Sequence, residues 1–152
     1  MTAFLQGHDL LERAQETHRR LSEFYDRTSD VVTGAREKML LEYLSRHEAR
    51  FAKSLKEYCR TGSPRILRTW FQFAPEDALQ GVLAAVTIVP ELTLDELVQI
   101  AVSLDDCLAD YYDQVVESAM SEEIAEAFRE LRAEERQEKA ELLKNADDLK
   151  HI

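Results

Sequence analysis

The chain has 152 residues and a formal net charge of −11, from 30 Asp and Glu against 19 Lys and Arg. That length suits one domain with one core, and that charge repels phosphate backbones and anionic lipid surfaces, so neither nucleic acid nor membrane is expected as a partner. With 4 Gly and 3 Pro among 45% hydrophobic and 32% charged residues, little interrupts long helices and enough apolar surface exists to pack them.

No basic-then-apolar leader opens the chain, since Asp9, Glu12 and Arg13 follow closely on the first apolar residues. Cys59 and Cys107 have no CxxC context or histidine neighbour, which fits reduced thiols in a cytoplasmic protein. The longest near-apolar run, Val82 to Val89, falls far short of the roughly 20 residues that span a bilayer.

Apolar positions recur at helical spacing from Phe4 to about Asp30, through Leu11, Ala14, Leu21, Tyr25 and Thr28, with His18 in the same seam. Thr33-Gly34 breaks this first helix. A second seam runs through Leu40, Leu44, His47, Phe51 and Tyr58 to the stop at Thr61-Gly62-Ser63-Pro64. The short break makes the two an antiparallel hairpin.

The crossover from Arg60 to Leu92 is too long and too apolar for a surface loop. Ser63-Pro64 reads as an N-cap and first-turn pair, which predicts a short helix over Pro64 to Phe73 presenting Ile66, Leu67, Trp70 and Phe71. Pro75 ends it, and Pro75 to Val89 is expected as a further helix or an extended crossover.

Thr93-Leu94-Asp95-Glu96 fits a capping box and opens a third long helix, with the seam Val98, Ala101, Asp105, Leu108, Tyr112, Val115 and Ala119. Ser121 followed by Glu122 and Glu123 caps a fourth, running to about Leu149. The expectation is an all-α four-helix bundle filling residues 1–152: hairpin one over about 3–61, a long, partly helical crossover over about 62–92, and hairpin two over about 93–150.

One shift of 87 residues lays the hairpins on each other, matching Phe24-Tyr25-Asp26 with Tyr111-Tyr112-Asp113, Leu44 with Leu131, Glu48 with Glu135, Leu55 with Leu142 and His18 with Asp105. Two hairpins with an aromatic-Tyr pair late in the first and third helices, joined by a long crossover, resemble the ferritin-like superfamily and especially its rubrerythrin-like branch. The resemblance implies a di-iron centre held by one Glu from each of two helices and a Glu-x-x-His pair from each of the other two.

Carried over residue by residue, the helix-one Glu falls on His18, the helix-two pair on Leu44 and His47, and the helix-three Glu on Asp105. The helix-four pair falls on Leu131 and Glu134, with Glu135 and Glu138, also three apart, as the alternative. No intact Glu-x-x-His remains, and loss of both bridging glutamates would leave a degenerate di-iron site.

His18, His47, Asp105, Glu134 and Glu138 therefore stand as the candidate metal ligands, a set of imidazoles and carboxylates suited to iron, manganese or zinc. The competing expectation is that they pair among themselves as the remnant of a site, with no cofactor bound. No catalytic residue is assigned, because no Gly-x-Ser-x-Gly turn or Gly-rich phosphate loop occurs.

Two functions follow. The first is a non-enzymatic ferritin-like bundle acting through protein contacts, as a homodimer or with another protein, with Ile66, Leu67, Trp70, Phe71 and Phe73 as part of the interface. The second is a rubrerythrin-like metal-binding oxidoreductase or iron-handling protein with a remodelled site.

Overall fold

The computed structural model describes residues 5–71 and 78–152. Its elements in chain order are β1 (Leu5–Gln6), α1 (Gly7–Val31), α2 (Ala35–Thr61), α3 (Pro64–Leu67), β2 (Trp70–Phe71), α4 (Ala78–Ala85), α5 (Leu94–Ser118) and α6 (Glu122–Lys150). The long helices pair as α1 with α2 and α5 with α6, which gives the two expected hairpins.

Local chemistry sets the boundaries. Thr93 and Glu96 form the capping box reciprocally: each backbone N–H donates to the other's side-chain oxygen at 3.2 Å. Ser121 accepts from the Ile124 N–H and starts α6. The turn between α1 and α2 is tied to the approach of α5, because the Thr33 N–H and hydroxyl both donate to the Pro90 carbonyl, at 3.0 and 3.1 Å.

The crossover departs from expectation. Ser63 does cap α3, but that helix ends after one turn at Leu67. Trp70 and Phe71 turn extended and pair antiparallel with Leu5 and Gln6, so a strand partner is available at the N-terminal end of the first hairpin. The pairing splits the aromatic cluster, with Phe71 fully buried and Trp70 59% exposed.

Phe73, Pro75, Glu76 and Asp77 lie outside the described residues. Beyond them, α4 is helical only to Ala85. Gly7 is needed where α1 meets the crossover, since a Cβ there would collide with the Ile66 carbonyl.

The core is built along the seams by Leu10, Leu21, Leu40, Leu55, Leu104 and Phe128, all but inaccessible to solvent. Tyr25 and Tyr112, 87 residues apart, are both fully buried. Among the described residues no helix is long and apolar enough to cross a membrane.

Candidate metal centre

At mid-bundle the apolar seams give way to ionisable groups. His18 on α1, Glu48 on α2, and Asp105 and Glu135 on α5 and α6 are buried, as few such groups are without partners or a metal. Each recurs on its helix at the spacing of the surrounding core residues: His18 lies between Ala14 and Leu21, Glu48 between Leu44 and Leu55. Glu138, one turn beyond Glu135, is half-buried.

The His18 ring sits between two carboxylates from opposite hairpins. Its Nδ1 is 2.5 Å from Glu48 Oε2, and its Nε2 is 3.1 Å from both Glu135 Oε1 and the Tyr112 hydroxyl. Phe51 stacks on the ring with centroids 4.0 Å apart and planes at 14°. Glu135 meets the imidazole through charge rather than an aligned bond, for neither of its oxygens has a hydrogen-bonding partner among the described residues, and nor does the Tyr25 hydroxyl.

Electrostatics reflect an excess of acid over base. Burial raises the Asp105 carboxyl to about 8, with Glu135 and Glu48 adding repulsion, and raises Glu138 to about 9 for the same reasons, with Glu48 and Glu135 again the main neighbours. Glu135 is also pushed up by burial, against the pull of His18. For His18 burial works the other way, but the two flanking glutamates outweigh it and hold the imidazolium to about 10.

The expected register changes in two helices. Leu44 is a buried core residue, while His47 is half-buried at the rim, with Nδ1 3.4 Å from Glu138 Oε1 and its ring against Tyr43. Glu48 takes the central place. On α6, Glu134 is exposed and lines an apolar cavity of about 140 Å3 with Leu11, Phe51, Leu55, Tyr58 and Leu131.

Glu135 and Glu138 are thus the α6 pair on the side of the centre. Phe51 and Glu138 stand three residues after Glu48 and Glu135, so neither glutamate is followed by histidine at that spacing.

The sequence seam passed over Glu48 because positions 47 and 48 both continue a helical period from Leu44, and a histidine is the easier residue to place inside. The signal that identifies it is the 87-residue shift, which pairs Glu48 with Glu135 and His18 with Asp105.

Elsewhere on the chain, His8, Asp9 and Glu12 bring one ligand atom each within 4.8 Å of one another. They are accounted for locally. Asp9 accepts from the Gln6 N–H at 2.9 Å in the cap of α1, and His8 lies 3.5 Å from Glu12 at the surface. The central carboxylates do not form so tight a group.

No protein-family model matches the sequence, and no curated protein does. A solved structure matches: a Thermotoga maritima protein whose description assigns it provisionally to the ferritin-like diiron-carboxylate proteins, with a TM-score of 0.60 and 16% identity over 94% of this chain and 95% of that one. The fold is ferritin-like. In the ferritin-like bundle, residues pointing inward at mid-height of the four long helices hold the metals, and here those places carry His18, Glu48, Asp105, Glu135 and Glu138. The excess of buried acid over the one imidazole, with Glu135 Oε2 lacking any partner among the described residues, fits a divalent cation. They do not reproduce the paired Glu-x-x-His donors of an ordinary di-iron centre.

Proposed function

We propose that this chain is a metal-binding ferritin-like protein of the oxidoreductase or iron-handling kind, with a remodelled centre. One observation carries the reading: Glu48 and Glu135 flank a single buried imidazole inside the bundle, and Asp105 and Glu138 add two further acids to the same layer, raised by burial and by those two glutamates. One imidazolium offsets only part of this buried acid, and a bound cation is the ordinary compensation for the rest.

Glu48, Asp105, Glu135 and Glu138 would hold the ion. A redox-active metal there would supply electron-transfer chemistry, and the buried Tyr25 and Tyr112 hydroxyls flank the same centre. Burial and the surrounding carboxylates keep both phenols protonated far above their ordinary range.

The test is elemental analysis of protein purified without chelator or affinity metal, paired with thermal melts in added Fe2+, Mn2+ and Zn2+. Near-stoichiometric metal and a raised Tm support the reading, because an ion that binds only the folded chain stabilises it. No retained metal together with an unmoved Tm rejects it.

A second reading, a metal-free bundle acting through protein contacts as a homodimer, is favoured by a different observation. The His18 ring already bridges Glu48 and Glu135 and is packed against Phe51, and Trp70 projects from the crossover as an exposed aromatic. On that reading metal is absent, and Trp70→Ala shifts the sedimentation of the wild-type dimer to that of a monomer.

A further inference from the structure

The donors at the centre are divided unevenly between its two sides, and the division bears on how many ions it takes. On the α1 and α2 side, both nitrogens of His18 are engaged, Nδ1 by Glu48 and Nε2 by Glu135 and Tyr112. The face of the ring is closed by Phe51, which offers no ligand atom.

The α5 and α6 side is open in the chemical sense. Among the described residues Asp105 takes part in no side-chain hydrogen bond or ion pair, Glu135 has Oε1 3.1 Å from His18 Nε2 and no partner at Oε2, and Glu138 has only the long contact to His47. The fully buried, unpartnered Tyr25 hydroxyl is set among these same carboxylates.

Resting on the metal-binding reading above, we propose that the centre takes one divalent cation and not two, held by oxygen from Asp105, Glu135, Glu138 and Glu48, with the His18 ring filling the space a second ion would need. A ferritin-like pair of metals requires donors on both sides of the bridging glutamates. Here one side has both imidazole nitrogens and one of the two Glu48 oxygens already engaged. Four carboxylates with no free nitrogen or sulfur make a hard oxygen site of the kind that suits Mg2+, Ca2+ or Mn2+.

The probe is Mn2+, whose electron paramagnetic resonance distinguishes an isolated ion from a coupled pair without any assay of activity. The full chain is stripped with chelator, reloaded, desalted and counted by elemental analysis. The expected result is about one Mn2+ per chain with the six-line signal of an isolated ion, lost in Asp105→Asn and in Glu138→Gln.

Two ions per chain with an exchange-coupled signal would overturn the inference while leaving metal binding intact. Retention of the signal in both variants would also overturn it, by placing the ion elsewhere, as at the surface group of His8, Asp9 and Glu12. No retained Mn2+, Fe2+ or Zn2+ would sink the metal-binding reading and this inference together. The double variant His18→Glu, Phe51→His should take two ions, and a count that stays at one would refute the role given to the His18 ring.

Discussion

Replacing Glu135 by leucine should make the metal-free protein more stable while removing its capacity to be stabilised by metal. Glu135 is 1% exposed with both oxygens lacking a hydrogen bond, so the folded state carries a desolvated acid with only partial compensation. His18 is not stranded by the change, because Glu48 remains 2.5 Å from Nδ1. Exchange of a whole buried ion pair for apolar side chains of similar volume is often neutral or stabilising by about 1–4 kcal/mol, and here the second glutamate on a single imidazole is removed while the Glu48–His18 pair stays intact. Taking about 2 kcal/mol, and roughly 2–4 °C per kcal/mol for a domain of this size, the chelated variant should melt roughly 4–8 °C above chelated wild type. Added Mn2+ at 100 times its dissociation constant should raise wild type by about 2.7 kcal/mol and leave Glu135→Leu where it was. Differential scanning calorimetry in chelator and in Mn2+ reads both effects. A chelated variant less stable than wild type would show that Glu135 is a structural partner of His18, and the reasoning would be wrong.

The remaining predictions concern protons, packing and capping. Asp105 and Glu138, raised to about 8 and about 9, hold protons that the unfolded chain loses near pH 4, and His18, raised to about 10, extends the same imbalance upward from pH 6.5. The folded state binds more protons throughout, so metal-free stability should fall as pH rises from about 4 to about 10. Urea titrations in chelator across that range check the sign, and a rise between pH 5 and 9 would contradict it. Phe51→Ala should cost about 3–5 kcal/mol, because Phe51 is 6% exposed and is both the ring against His18 and a wall of the adjoining cavity. Thr93→Ala should cost about 1 kcal/mol in the same titrations, through loss of the capping box of α5, and should leave Mn2+ uptake unchanged.

The long helices and their pairing were legible because the information is local and redundant: each seam repeats its apolar residues over many turns, and Thr93, Ser121, Gly34 and Gly62 punctuate them. His18 and Asp105 were legible for the same reason, as polar residues in long apolar seams. Glu48 and Glu135 were harder. One helical residue turns the chain by about 100°, and the seam is wide enough to admit either His47 or Glu48, so the choice is made by the opposite helices. The 87-residue repeat carried the answer, but few identities support it. Trp70 and Phe71 were misread as helix because their pairing with Leu5 and Gln6 is a long-range event that no local window contains.

The ionisable layer also lies in the plane where the two hairpins meet, with His18 and Glu48 contributed by one and Asp105, Glu135 and Glu138 by the other. A seam of leucines resists parting along its whole length, whereas a seam whose middle carries buried ionisable groups regains their solvation as soon as it opens. Separation of the intact hairpins is therefore easier than it would be for a purely apolar seam. In hydrogen exchange, amides facing that seam would lose protection as one cooperative unit, and the same opening would admit an ion to the centre.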